Sequence, residues 1–156
     1  MDASGGGDQV RAEVPAEPAG GLIEELDETE CWALLGSQQV GRLAVSTEEG
    51  PAIFPVNYLT DGEAIVFRTD PGTKLLNASL SRVAFEVDKI DEERMEGVSV
   101  VVEGVGYDIT DAADERSVRM RSLPCRPWVG EPGHLSHWVL VNPRSITGRR
   151  LVAAAG

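Results

Sequence analysis

Positive charge is scarce in this chain. Fourteen Lys and Arg stand against 26 Asp and Glu, a formal net charge of −12. Such a surface repels nucleic-acid phosphates and anionic membranes alike, so neither is an expected partner. Histidine and cysteine are scarcer still, with only His134, His137, Cys31 and Cys125. The two cysteines form no Cys-x-x-Cys pair. The spacing Cys125-x8-His134-x2-His137 matches no standard zinc pattern and offers no fourth ligand, so no metal site is expected. No apolar run approaches the roughly 20 residues that span a bilayer. The first residues lack the basic-then-apolar order of a secretory signal. The expectation is a cytoplasmic protein, in which a disulfide is not favoured.

The common catalytic signatures are missing too. There is no Gly-x-Ser-x-Gly elbow, no Walker A loop, and no Gly-x-Gly-x-x-Gly between a strand and a helix. Glu28, Glu30 and the run Asp91-Glu92-Glu93 read as solvated surface. No side chain is assigned a catalytic role.

What remains is a chain of 156 residues, 42% hydrophobic and 26% charged, which suits one folded domain with a core. Residues 1–20 are rich in Gly, Ala, Pro and charge without hydrophobic periodicity, which predicts a disordered tail ahead of a domain over 21–156. Asp27 and Glu30 have capping-box spacing, so a helix is expected from Asp27, with Cys31, Leu34 and Leu35 on its apolar stripe and Gly36 closing it. Cys31 then reads as a buried small hydrophobe. Runs over 41–47, 52–59 and 64–69 predict three strands, with Asp61-Gly62 as a hairpin turn, arranged as an antiparallel meander. Further strands are expected over 82–87, 98–109 and 138–141. Helices are expected over 73–80 and 111–120, the second capped by Thr110 or Asp111, with 88–96 as a charged connection and 123–134 irregular. Several strands are apolar on both faces, as in Val98-Ser99-Val100-Val101-Val102. A small barrel satisfies this if its outer face is covered by helices or by a second subunit.

Two segments stand out chemically. Phe67-Arg68-Thr69-Asp70-Pro71-Gly72-Thr73-Lys74 runs from a strand through a turn into a helix-like start. Arg68 and Lys74 flank two hydroxyls where a helix would expose unpaired N–H groups, an arrangement that suits a phosphate. It equally suits a plain joint with two solvated cations. Pro55-Val56-Asn57 interrupts a hydrophobic strand with a residue that cannot donate to a ladder. This is either an ordinary edge strand or backbone left free for a ligand. A phosphate-like pocket without a nucleophile or base array suits a cofactor that brings its own chemistry, and a flavin mononucleotide fits that description.

The ordered set Val40-Gly41-Arg42-Leu43-Ala44, Pro55-Val56-Asn57-Tyr58, Val66-Phe67-Arg68-Thr69, Gly72-Thr73-Lys74, Val83-Ala84-Phe85-Glu86-Val87 and Ser99-Val100-Val101-Val102-Glu103-Gly104 resembles the pyridoxamine 5′-phosphate oxidase-like, flavin-binding split-barrel family. The resemblance covers about residues 26–149, and the ending Ile146-Thr147-Gly148-Arg149-Arg150 is similar to that of actinobacterial members. It implies a mainly β fold, a six-stranded antiparallel split barrel working as a homodimer with FMN between subunits. It implies phosphate contacts from Arg68, Thr69, Thr73 and Lys74, and ring contacts from the backbone of Pro55, Val56 and Asn57. Ser99 falls where the family places a polar ring contact, reaching across the dimer. Trp138 and the segment 123–137 fall where they would wall cofactor or substrate. The implied activity is an FMN-dependent oxidoreductase passing hydride equivalents to or from a small molecule. A deazaflavin-dependent reductase and a non-catalytic flavin-binding or sensing protein are the alternatives on the same fold. The C-terminal Arg/His motif with which true pyridoxamine phosphate oxidases hold substrate is absent here, so vitamin B6 is not the implied substrate.

Overall fold

Alternation of buried and exposed positions bends one antiparallel sheet into a ring. The computed structural model describes residues 20–70, 75, 79–128 and 136–154. Its elements are β1 (Leu22–Leu26), α1 (Glu28–Ser37), β2 (Val40–Thr47), β3 (Gly50–Thr60), β4 (Ile65–Thr69), β5 (Ser79–Asp91), β6 (Glu96–Asp108), α2 (Glu115–Arg121) and β7 (His137–Val152). Six strands follow one another as β7-β4-β3-β2-β5-β6, and β6 pairs back onto β7 to close the ring. The seventh, β1, lies outside that circuit on the C-terminal half of β7, with Leu22 opposite Val152 and Leu26 opposite Gly148.

Inward positions fill the ring. Leu43 and Val45 of β2, Ile65 and Phe67 of β4, Val83, Phe85 and Val87 of β5, and Val139 and Val141 of β7 share one core. Helix α1 adds Cys31 and Leu35 to it. The helix starts where the capping box requires: Glu30 N–H donates to Asp27 Oδ1 at 2.8 Å, and Asp27 N–H donates to Glu30 Oε2 at 3.0 Å. Burial pushes the Cys31 thiol pKa up, and the neighbouring carboxylates of Asp27, Glu30 and Glu28 push it further. Tyr58 reaches in from β3, stacks edge-on against Phe85 at 4.9 Å, and donates its hydroxyl to Leu35 O. The outward side of β4 and β7 carries a second cluster, in which Val66 and Leu140 pack with Ile109 and Met120 beneath α2. Strands apolar on both faces are thereby explained for this sector: one face fills the ring and the other lies under a helix.

Several expected boundaries move. The strand β1 was not anticipated, because its five residues, four of them exposed, show no pattern until Arg149 and Arg150 lie beside them. Helix α1 runs through Gly36 to Ser37 and ends at Gln38 in an extended conformation, so Gly36 is not its stop. The expected helix over 73–80 is corrected at its end, where Ser79 and Leu80 open β5; Leu75 is a buried turn residue, and the rest lies outside the described residues. The connection over 88–96 contracts to a turn, since β5 extends to Asp91 and β6 begins at Glu96. Helix α2 begins later than expected, capped by Asp114, whose carboxylate accepts from Ser117 N–H at 2.9 Å. Thr110 and Asp111 do not cap it, because the backbone N–H and hydroxyl of Thr110 both bind Asp108. The Asp61-Gly62 turn is as expected, with Gly62 at φ +89. The expected tail falls almost wholly outside the described residues.

Gly41 lies on β2 facing Phe85, and a Cβ there would run into the Phe85 ring. Phe85 is fully buried and has no room to retreat. Gly41→Ala is expected to destabilise the fold by about 2 kcal/mol through overpacking. Urea unfolding would register this as a lower midpoint with an unchanged slope.

Candidate functional site

Strand β4 is short, and this creates the site. β2 accompanies β3 from Gly50 to Asn57, but β4 pairs only with Tyr58, Leu59 and Thr60. Among the described residues, the other edge of β3 from Gly50 to Asn57 has no strand beside it. Tyr58 N–H donates to Gln39 O at 3.2 Å, on the β2 side. Backbone groups alternate in direction along a strand, so those of 51, 53, 55 and 57 turn to the open side. Pro51 and Pro55 have no N–H to present there, which blunts the edge against pairing with another chain. Ile53 and Asn57 keep theirs. Pro55 is exposed, and Val56 packs against the ring core.

Arg68 and Trp138 face each other across β4 and β7, with the guanidinium carbon 5.1 Å from the indole ring centre. The contact fixes Arg68 as a cation–π partner while keeping it half-exposed. Thr69, next along β4, is 7% exposed and lies opposite His137. Asp70 follows, and its buried Oδ1 has no hydrogen-bond partner among the described residues. Thr73 and Lys74 lie outside the described residues. Ser99 is not part of this cluster. It pairs with Arg149, eleven residues farther along β7 than Trp138, on the order of 35 Å of extended strand. Within one chain, then, the structure brings Asn57, Arg68, Thr69 and Trp138 to one end of the barrel and leaves Ser99 at the other.

The sequence reading missed Gln39 and named Trp128 only within the segment 123–137; the two residues brace the Asn57 side chain. Trp128 N–H donates to Asn57 Oδ1 at 2.8 Å, and its indole N–H donates to Gln39 Oε1 at 3.2 Å. Asn57 Nδ2 donates to Gln39 O at 3.3 Å, and Cys125 Sγ lies 4.0 Å from Asn57 O. The irregular segment after α2 is thus tied to the open end of β3. No local signal announces this, since the partners are 71 and 89 residues apart. Burial pushes the Cys125 thiol pKa up, against a smaller opposing effect of the nearby Arg68.

His137 lies beside Asp108, and His134 lies outside the described residues. Its Nδ1 is 3.2 Å from Asp108 Oδ2, and Thr110 donates its hydroxyl to Asp108 Oδ1 at 2.6 Å. Trp138 N–H donates to Thr110 Oγ1 at 3.0 Å, so this trio also fixes the start of β7. Burial pushes the Asp108 carboxyl pKa up, but the hydrogen bonds from Thr110 and His137 together outweigh it and hold the group below the ordinary aspartate range. Among the described residues, no three His, Cys, Asp or Glu side chains are grouped to hold an ion. No described helix is long and apolar enough to cross a membrane.

A closed ring of six antiparallel strands with one strand edge left open at its mouth is a split barrel. Comparison with known proteins agrees. The family model for pyridoxamine 5′-phosphate oxidase matches residues 27–150. The chain belongs to that pyridoxamine 5′-phosphate oxidase-like family. An uncharacterized protein of Mycobacterium tuberculosis is 34% identical over 137 residues, spanning 84% of this chain and 87% of its own. The structure of an FAD binding protein from Mycobacterium smegmatis superposes with a TM-score of 0.68 at 37% identity, covering 81% of this chain and 98% of that one. An FAD-binding protein from Mesorhizobium loti, at 23% identity, shares the fold with a TM-score of 0.65 over 85% of this chain and 98% of its own.

Asp108 has a lowered pKa in the folded state, so its contribution to stability is present above the unfolded value and is lost as pH falls through the folded one. Asp108→Asn is expected to lower the Tm by a few degrees near pH 6. That gap should narrow as the pH drops below the ordinary aspartate pKa of 3.8. Thermal melts of both proteins from pH 6 to 3 check this; a gap of constant size would mean that the carboxylate charge is not the stabilising element.

Proposed function

We propose that the protein is a homodimeric, FMN-binding oxidoreductase that passes hydride equivalents to or from a small organic molecule. The observation that carries this reading is the open backbone edge of β3 at Pro55–Asn57, at the same barrel mouth as Arg68, Thr69 and the buried Asp70 oxygen. Family membership and the flavin named for the Mycobacterium smegmatis neighbour support it.

The residues present fit a flavin. Arg68 and Lys74 would offset the phosphate charge, and a guanidinium can engage it bidentately. Thr69 and Thr73 would donate hydroxyls. The buried Asp70 oxygen has no donor among the described residues and suits a hydroxyl of the cofactor's polyol chain. The Asn57 N–H on the open edge of β3 would meet the ring system, with Val56 fixing the strand from the core side. When bound, the flavin supplies the two-electron chemistry, which is why the absence of a nucleophile or base array in this chain is no obstacle. The protein's share is to bind, orient and exclude water.

A second copy completes the reading. Ser99, far from Arg68 within one chain, reaches the ring only from the partner subunit. Ile53, 68% exposed beside the open edge, is apolar surface for that contact. Vitamin B6 is not the proposed substrate. Arg150, in the ending of the chain, is already engaged by Glu30 at 3.4 Å and Glu24 at 3.6 Å. FAD is the second reading, favoured by the name of the neighbour that is 37% identical.

Titration of the purified protein with FMN, FAD and a deazaflavin coenzyme, with any co-purified chromophore identified by mass, separates these readings. Arg68→Ala and Lys74→Ala are each expected to weaken FMN binding at least about tenfold, and the pair to weaken it further. Unchanged affinity in the double variant would overturn the phosphate assignment. Sedimentation of the loaded protein reads the dimer.

A further inference from the structure

Trp128 is 70% exposed, yet it is not loose. Its two N–H groups both point inward, the backbone one to Asn57 Oδ1 at 2.8 Å and the indole one to Gln39 Oε1 at 3.2 Å. These bonds fix the orientation of the indole and leave much of its apolar surface to solvent. An aromatic ring held outward in this way forgoes the free energy that covering it would release. Beside it lies a cavity of about 360 Å³ whose lining includes Gln39, Asn57, Leu59, Pro124, Arg126 and Trp128. That volume is in the range of small-molecule sites. Its lining combines an aromatic ring and aliphatic side chains with two amide side chains and one guanidinium. In a chain of net charge −12, a cation lining such a cavity favours an anion there.

The geometry points to a ligand pocket for a planar aromatic anion, stacked on the Trp128 indole with its negative group on Arg126. Asn57 and Gln39 hold the indole in place and also line the cavity. Asn57 and Leu59 also belong to the strand whose open edge is assigned to the flavin. Describing this ligand as the substrate therefore rests on the flavin proposal, whereas the pocket itself stands on the cavity and the fixed indole.

Equilibrium dialysis of the full chain against 2-naphthoate, with and without saturating FMN, tests both parts. The wild type should bind 2-naphthoate saturably. Neutral 2-naphthalenemethanol, which lacks the charge, and cyclohexanecarboxylate, which lacks the flat ring, should each bind about tenfold more weakly or worse. Trp128→Ala and Arg126→Gln should each weaken 2-naphthoate about tenfold, Trp128→Phe should retain most of the affinity, and FMN affinity should stay within a few-fold of wild type throughout. No binding of 2-naphthoate to the wild type, or equal binding to the Trp128→Ala and Arg126→Gln variants, would overturn the pocket. So would loss of FMN affinity in Trp128→Ala, which would put the indole in the cofactor site instead. If 2-naphthoate binds through Trp128 and Arg126 while FMN does not bind at all, the pocket stands and the flavin reading falls.

Discussion

The fold depends on β7 serving three neighbours at once. Its 16 residues pair with β6 along most of their length. On the opposite edge, β4 takes residues 137–141 and β1 takes residues 148–152. A shorter strand could close the ring or anchor β1, but not both. Closure removes most exposed sheet edges and gives α1 a cavity to cap, into which Cys31 and Leu35 are driven by burial of apolar surface. The price is local irregularity. The β6–β7 register slips between Glu103 and Gly104, and Gly104 tolerates the slip because a side chain there would collide with Asn142 O.

The same economy of strand length makes the site. β3 has eleven residues and β4 five, so among the described residues β3 keeps β2 on one edge but has no strand on the other over Gly50–Asn57. An unpaired edge is a hazard, and here it is controlled by chemistry rather than by another strand. Pro51 and Pro55 remove two of its donors, and the segment carrying Cys125 and Trp128 is tied to Asn57 at its end. The outcome is an edge with few donors for indiscriminate pairing that ends at Asn57, where Cys125 and Trp128 meet it. Structural need and the proposed cofactor role coincide at this edge, so an ordinary edge strand and a ligand-facing strand are not rival descriptions of Pro55.

Much of this was readable from residues alone, for reasons of range. The capping box of Asp27 and Glu30, the Asp61-Gly62 turn, the meander of β2 to β4 and the apolar runs of β5 and β6 all depend on neighbours a few residues apart. The ordered family motifs led to the same barrel that the family match supports. Boundaries failed where tertiary bonds overrode local preference. Thr110 has the residue type of a helix cap, but its hydroxyl is taken by Asp108, and the cap passes to Asp114. β1 was invisible because its five residues become a strand only against the far end of the chain.

By itself, the sequence determined the mainly β architecture, the family and the basic character of the residues around Arg68, because composition, alternation and motif order are properties of the chain before it folds. The tertiary structure alone decided that β4 stops short, that Asn57 spends its side chain on Gln39 and Trp128, that Arg68 rests on Trp138, and that Ser99 lies at the opposite end of β7. Each of these depends on the register between strands far apart in the chain. Register is set by how the whole ring closes around its core, so nothing within a few residues of each position carries it.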